Sequence, residues 1–552
     1  LNEFSVLIGG KAGDGINQAG LLLARLLAEL GYRVYMDVDY PSLIRGGHNF
    51  SLVRAAGRPV ATFRDRIDML LALNQDTLDA HAGKLSDSSR VIYDSDSTDS
   101  GQASAQGLGL ALTRMAKEEG AKPLMRNSAL LGAFARGVGI EWGTFESVLR
   151  RYTAKEQDLN LKLARKGYDA ATQLVEIPAL EQNKLPIFTG NEAVGMGLVK
   201  AGLGAYVAYP MTPSSGLLHF LAGLAKDFSL KVIHPENEIA VMLMALGFSY
   251  AGEKVAVGTS GGGFCLMTEG LSLAGMAELP VVVVLGQRPG PSTGLPTYTA
   301  QGEMLFTLHA GHGEFVRFVV APGDPEEAFY WAQVAMSISW GFQIPSIILL
   351  DKALAEGAYS FDRDSLSQVK PEEIKLWDGE KPYGRYKRSD TGVSPLAFAP
   401  AEGAVVKVNS YEHDEFGITT EEPSLTRMMQ DKRLGKEKHV TAALNAYETV
   451  RTYGDPGSPN VLLCWGSNKG VCVEAGEKLG YRVVHVLVLS PLPVDSLRKA
   501  LRGAGRVVAV ENNATGQLAR RVRTYGFGVD ESVSKYDGRP FSLDGLVALL
   551  EK

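Results

Sequence analysis

The side chains able to do chemistry sit in short stretches where glycine and proline crowd around them. From Gln287 to Thr297 the chain reads Gln-Arg-Pro-Gly-Pro-Ser-Thr-Gly-Leu-Pro-Thr, directly after the apolar run 279–286. Arg288 offers a planar donor fork that matches a carboxylate or a phosphate. Thr293 and Thr297 add hydroxyls, and the prolines restrict the backbone, which lowers the entropy lost on closing around a ligand. A rigid surface loop with a solvated arginine is the plain alternative. Upstream, Tyr209-Pro210-Met211-Thr212-Pro-Ser-Ser215 follows another apolar run and brings further hydroxyls. Glu238 opens a very apolar stretch, 239–250, where a helix N-terminus favours a carboxylate. Its bulky neighbours suit it to share a proton with a ring nitrogen, although an ordinary first-turn glutamate reads the same way. Thr259-Ser-Gly-Gly-Gly263 is expected to be a loop that lets a ligand approach the backbone.

A second group lies at the start of the chain. Gly9-Gly-Lys-Ala-Gly-Asp-Gly15 invites a dinucleotide assignment, because glycines between a strand and a helix offer backbone N–H groups to a phosphate. The spacing of Gly10, Gly13 and Gly15 is not Gly-x-Gly-x-x-Gly, and Gln18 stands where the last glycine belongs, so NAD is disfavoured. Residues 41–49 form a second glycine loop with Arg45, Gly46, Gly47 and His48, and Arg54 follows. Together the two loops suit a polyanionic cofactor; paired glycines that merely permit a tight turn are the alternative.

These stretches must be carried by alternating strands and helices. In the first segment the strand 4–8, a helix over 17–31 and the strand 33–37 read as a βαβ unit, with later strands at 69–73 and 90–93 and a closing helix over 152–175. A linker falls around 178–186. The second segment has strands at 205–208, 254–258, 281–284 and 346–350, which implies a parallel sheet covered on both faces. Residues 359–440 lose this rhythm, are charged and rich in Pro, Gly and Tyr, and read as an ordered connector or arm. The last segment returns to βαβ form, with strands at 460–464, 482–488 and 506–510.

At 552 residues the chain has room for about three or four domains. A formal charge of −6 gives no reason to expect nucleic acid or an anionic membrane as partner. There is no long apolar span and no signal-peptide pattern, so the cytoplasm is the expected compartment. Cys265, Cys464 and Cys472 are the three cysteines, too few for a four-thiolate iron–sulfur cluster, so any such centre serving the protein must come from another polypeptide.

The order of the motifs is more specific than any one of them. Gly-Asn-Glu at 190–192, Tyr-Pro-x-Thr-Pro-Ser-Ser at 209–215, Glu-Asn-Glu at 236–238, Thr-Ser-Gly-x-Gly-Phe at 259–264 and the Arg288 loop follow one another. This resembles the α subunit of the 2-oxoacid:ferredoxin oxidoreductases in the form with the γ domain fused ahead of the α portion, close to the 2-oxoglutarate enzymes. Residues 9–15 and Ile44-Arg-Gly-Gly-His48 look like the γ domain. Glu511-Asn-Asn-Ala-Thr-Gly-Gln517 looks like the signature of the C-terminal domain, and Glu412-His-Asp-Glu-Phe-Gly417 is similar to a stretch of the connector. Departures are Gly262 for the family's proline, Met211 for isoleucine, and Gly216-Leu217 where relatives often carry polar or acidic side chains.

The resemblance implies a multidomain α/β protein. A Rossmann-like γ (CoA-associated) domain takes residues 1–177, and a doubly wound, pyrimidine-type thiamine diphosphate-binding domain takes 187–358. The connector or arm is 359–440, and a transketolase C-terminal-like α/β domain takes 441–552. Such enzymes use thiamine diphosphate, whose ring carbon attacks a 2-oxo carbon and whose ring accepts the electrons freed by decarboxylation. By the resemblance, Glu238 holds the aminopyrimidine, with Tyr209 and Pro210 beside it. Thr212 and Arg288 bind the substrate carboxylate, with Thr293, Thr297 and Asp414 around them. Gly10, Gly13, Gly15, Arg45, Gly46, Gly47 and His48 would take coenzyme A. Mg²⁺ with the diphosphate, and at least one [4Fe–4S] cluster, are expected on a separate β subunit. Ferredoxin would accept the electrons, and the assembly would be a dimer of heterodimers. Aryl- or indolepyruvate oxidation and a non-catalytic CoA-binding structural subunit are the competing readings.

Overall fold

The computed structural model describes residues 3–42, 47–99 and 107–552, so Arg45 and Gly46 lie outside the described residues. Contacts divide the chain into two compact units. The first joins Leu1–Thr189 with Glu356–Arg363 and Phe541–Lys552, and the second joins Gly190–Ala355 with Asp364–Pro540.

The first unit is built on a mixed sheet. From edge to edge it runs Gly107–Leu110, Arg90–Asp94, Met69–Ala72, Glu3–Lys11, His48–Ala56, Arg33–Asp39, Ala358–Ser360 and Ile187–Thr189. The expected βαβ unit is interrupted. His48–Ala56 inserts antiparallel between Glu3–Lys11 and Arg33–Asp39, so His48 and Asn49 are strand residues rather than loop. The helix Ile16–Glu29 buries Leu23, Leu26 and Leu27 against the sheet. The closing helix is shorter than expected, Gln157–Ala170, and follows a separate helix, Trp142–Tyr152. The final helix, Leu543–Leu550, also belongs to this unit: Leu543 N–H donates to Phe63 O at 2.9 Å.

The second unit holds two sheets. The larger orders Val488–Ser490, Phe318–Val320, Pro345–Asp351, Val281–Gln287, Val255–Ser260, Ala205–Ala208 and Lys231–Ile233. Every pairing is parallel except that of Val488–Ser490, an edge strand supplied by the last segment. Its central strands are fully buried, which is why they read as unbroken apolar runs. The smaller sheet orders Val450–Tyr453, Arg482–Val486, Asn460–Cys464, Arg506–Glu511 and Glu531–Ser534. Gln301 ties the two together: its Nε2 donates to Trp465 O at 2.9 Å, and its Oε1 accepts from Asn468 Nδ2 at 2.9 Å and Asn512 N–H at 3.1 Å.

The connector reads as ordered from its sequence, and the structure adds a regular element that the sequence did not announce. It ends in a long helix, Pro423–Leu444, started by the Glu422 carboxylate, which accepts from Leu425 N–H at 2.9 Å. The buried stripe of that helix includes Lys432, Arg433 and Lys436. Lys432 and Lys436 converge on Glu278, which is 1% exposed, and Arg433 grips Glu412 through both nitrogens. Burial alone would raise the Glu278 carboxyl's pKa, but the positive charges of Lys432, Lys436 and Arg385 outweigh it and hold it well below the usual range.

Candidate functional site

The parallel strands of the larger sheet release their loops at one edge, beyond their carboxyl ends, where open α/β sheets bind ligands. Val255–Ser260 passes straight into the helix Gly261–Met276, so the expected Thr259–Gly263 loop is a direct strand-to-helix junction. Ser260 occupies the N-cap position, yet its side chain makes no capping bond.

The three glycines leave this first helical turn bare for different neighbours. A Cβ on Gly261 would come 2.6 Å from Glu303 Oε1. A Cβ on Gly263 would collide with Thr259 Oγ1 and lie 2.5 Å from Glu238 Oε1. On Gly262 the nearest atom would be Ser292 O, at 3.8 Å. Gly261 and Gly263 are therefore required by close approach, whereas Gly262 stands where a larger residue fits, and nothing in the structure requires glycine there.

Glu238 is positioned by its own helix. Asn237 Oδ1 accepts from Ala240 N–H at 3.0 Å, which starts Glu238–Tyr250 and sets Glu238 on its first turn. The side chain is 4% exposed, and Oε1 is enclosed with no hydrogen-bond partner. Ser260 Oγ, Tyr206 Oη and Glu303 Oε2 are likewise enclosed without partners. Buried polar atoms normally find partners, so the unmet Glu238 carboxyl oxygen beside a turn kept bare by Gly263 suits a ligand at this point.

Arg288 follows the strand Val281–Gln287 and is half-buried. Its Nη1 donates to the Thr212 carbonyl at 2.9 Å, which joins the Arg288 loop to the Tyr209–Ser215 loop. Burial lowers the Arg288 pKa, partly offset by the charge of Glu303. Burial in turn pushes the Glu303 carboxyl up to about 8, against the pull of Gly302 N–H and Arg288. Glu303 was not singled out from the sequence. Only its place after a buried turn (Gln301 is fully enclosed) distinguishes it from a surface glutamate.

The structure thus brings Glu238, Thr212 and Arg288 to one edge of the sheet. Tyr209 is exposed, its ring edge-on to His234, and Pro210 is half-buried. Thr297 is buried and Thr293 exposed in the same loop. Asp414 instead closes its own turn, its Oδ1 accepting from Phe416 and Ile418 N–H, both at 2.9 Å. Glu511, in the last segment, accepts from Trp465 Nε1, Leu518 N–H and Ala519 N–H, so its motif holds a helix start.

In the first unit the two glycine loops do meet. Lys11 pairs in register with His48, Gly10 with Asn49, and Ala12 N–H donates to Gly47 O at 3.3 Å. Gly13 and Gly15 take φ of 95° and 70°, values that favour glycine. Asp14 is anchored by Arg126 at 2.9 Å, so it is a buried structural residue of the loop. His48 Nε2 lies 2.9 Å from His81 Nε2. Arg54, expected near this loop, is at the far end of its strand, fully buried and paired with Glu3.

Comparison with known proteins follows the same division. Residues 196–431 match the family described as pyruvate flavodoxin/ferredoxin oxidoreductase, thiamine diphosphate-binding, and residues 5–170 match the pyruvate ferredoxin/flavodoxin oxidoreductase family. The α subunit of 2-oxoacid:ferredoxin oxidoreductase 2 from Aeropyrum pernix is 31% identical, over 98% of this chain and 96% of that one. The corresponding α subunit from a Sulfolobus species is 30% identical, over 100% and 97%. A solved structure, the 2-oxoglutarate:ferredoxin oxidoreductase from Magnetococcus marinus with 2-oxoglutarate, coenzyme A and succinyl-CoA bound, superposes with a TM-score of 0.88 at 27% identity, covering 100% and 99% of the two chains. The chain belongs to the 2-oxoacid:ferredoxin oxidoreductases, as an α subunit whose thiamine diphosphate-binding domain carries the pocket of Glu238 and Arg288.

Proposed function

We propose that this pocket is the pyrimidine-side half of a thiamine diphosphate site. On this reading the chain converts a 2-oxoacid and coenzyme A to acyl-CoA, and electrons leave to ferredoxin. 2-Oxoglutarate or a broad range of 2-oxoacids is the substrate. The observation that carries the reading is Glu238 Oε1, enclosed, unpartnered and facing a turn kept bare by Gly263. Those residues fit an aminopyrimidine, which needs one carboxyl group within a dry wall. Thiamine diphosphate, when bound, supplies the carbon nucleophile and the electron sink. Glu238 then holds the proton shared with the pyrimidine nitrogen. Arg288 pairs with the substrate carboxylate, and the Thr212 hydroxyl adds a second donor beside it. The loops of Gly10, Gly13, Gly15, Gly47 and His48 are assigned to coenzyme A, the ligand named for the Magnetococcus enzyme.

The rest of the site is assigned to a β subunit carrying the Mg²⁺-bound diphosphate and a [4Fe–4S] cluster, in a cytoplasmic dimer of heterodimers. The outer faces of the helices Glu238–Tyr250 and Gly261–Met276 support such a partner. They expose Ile239, Leu243 and Leu266 by 49% around a groove of 780 Å³. Apolar surface of this kind, beside half a site, suits a permanent subunit contact. Among the described residues no helix is long and apolar enough to cross a membrane. The test is Glu238→Gln in the reconstituted complex, with 2-oxoacid-dependent viologen reduction as the readout. Turnover is expected to fall by about 10²–10⁴-fold, and undiminished reduction would refute the assignment.

A further inference from the structure

Two histidine rings meet beside the glycine loops assigned to coenzyme A, and only one belongs to those loops. His48 opens the strand His48–Ala56, and His81 ends the helix Gln75–His81. Their Nε2 atoms lie 2.9 Å apart. Phe50 stacks on His48 with centroids 5.6 Å apart and meets His81 edge-on at 4.8 Å. A Cβ on Gly9 would come 3.0 Å from His48 Cε1 and 2.6 Å from Thr77 Cγ2. The strand that leads into the first glycine loop therefore runs directly against the His48 ring and the helix that carries His81. His81 is 3% exposed and His48 half-buried.

That contact fixes where the protons sit. Two nitrogens so close share one proton, so one ring donates and the other accepts. Two neutral rings carry two protons in all, and the second then sits on an Nδ1. Among the described residues neither Nδ1 meets a hydrogen-bond partner, and a buried N–H is rarely left unmet. His81 is the more deeply buried ring, while on His48 the neighbouring Gly10 carbonyl favours a bound proton. The second proton therefore belongs to His48, and His81 Nε2–H is the donor between the rings.

We propose that His81 is a positioning residue of the coenzyme A loops: by donating to His48 Nε2 it holds that ring against Gly9 as the neutral Nδ1–H tautomer. This inference rests on coenzyme A occupying these loops, as proposed above. Burial lowers the pKa of both rings, against the charges of Asp39 and Asp76 on His48. It takes His81 down to about 3, with Lys84 and His48 adding to the effect. Lys11, on the facing strand, pairs in register with His48. Neither ring is then a cation near neutral pH. Without His81 the His48 ring is free to turn and to protonate near its ordinary value of about 6.5.

The experiment measures kcat and KM in the complex with its β subunit at about pH 6 and about pH 8, with viologen as acceptor. His81→Phe fills the space without a donor, and His81→Gln keeps one. At the higher pH, His81→Phe should raise KM for coenzyme A about 3–10-fold, the worth of one hydrogen bond. Its kcat and its KM for the 2-oxoacid should stay within about twofold of wild type, and His81→Gln should restore KM for coenzyme A. At the lower pH the freed His48 is charged, so the ratio of His81→Phe to wild-type KM should fall at least about threefold. Taking that ratio cancels the titration of coenzyme A itself. A merely structural role would leave the ratio independent of pH and Gln no better than Phe, and either result would overturn the proposal. Ring-nitrogen NMR of wild-type complex carrying nitrogen-labelled histidine reads the tautomer without relying on either His81 variant. A His48 signal, identified by its loss in His48→Gln, that shows a charged ring or a proton on Nε2 would also overturn it. Unchanged KM for coenzyme A in His48→Gln would instead refute the placement of coenzyme A on these loops.

Discussion

Replacing Gly263 with alanine adds one methyl group to the turn that faces Glu238. The new Cβ would collide with Thr259 Oγ1 and lie 2.5 Å from Glu238 Oε1, whereas real Cβ contacts begin at 3.0 Å and are ordinary from 3.4 Å. Glu238 must therefore retreat by about 0.5–0.9 Å. A catalytic group misplaced by about 1 Å costs on the order of 10²-fold in rate, so kcat should fall by roughly that factor. The fold should survive. Overpacking costs about 1–3 kcal/mol, and alanine recovers up to about 1 kcal/mol over glycine inside a helix. Gly262→Ala is the matched control on the same turn, since its Cβ would meet nothing nearer than Ser292 O at 3.8 Å. It should keep kcat within about twofold of wild type. Both variants are compared in the reconstituted complex by 2-oxoacid-dependent viologen reduction, with thermal melting to confirm folding. Equal turnover in the two variants would show that the approach of Glu238 to this turn is not what the glycine protects.

Arg288→Lys keeps the charge but loses the fork; KM for the 2-oxoacid should rise about 10–100-fold with little change in Tm, checked by steady-state kinetics. Glu278→Gln strips the shared partner from two buried lysines and should cost about 3–5 kcal/mol, read from chemical denaturation. His485 is fully buried, and burial lowers its pKa from 6.5 to about 4, partly opposed by Glu327. Between these values the unfolded chain binds the extra proton. The stability contributed by neutral His485 is therefore complete above pH 6.5 and is lost as the pH falls toward 4, by roughly 3 kcal/mol. Urea unfolding at pH 7 and pH 5 should show the loss, and His485→Leu should flatten it.

Four strands of the larger sheet, read at 205–208, 254–258, 281–284 and 346–350, were legible because they are buried on both faces and so spell continuous apolar runs, whereas the three-residue strands Lys231–Ile233 and Phe318–Val320 are too short to show a pattern. The helix Pro423–Leu444 was not, for a physical reason. Its inward stripe carries Lys432, Arg433 and Lys436 where an apolar period would announce a helix, because Glu278 and Glu412 neutralise them from distant parts of the chain. The antiparallel insertion of His48–Ala56 was hidden likewise, since sheet order depends on pairing partners rather than on local pattern.

The chemistry followed the same division. Residue types, their order and the glycine and proline around them were enough to name the family and to single out Glu238, Thr212 and Arg288 as candidates. Which atoms meet was decided by folding alone. Glu303 resembles any surface glutamate until the loop after Arg288 turns it against Gly261, and Asp414 resembles a ligand-binding acid until it closes its own turn. Burial and contact across long sequence separations set those roles, and neither is encoded by a residue's immediate neighbours.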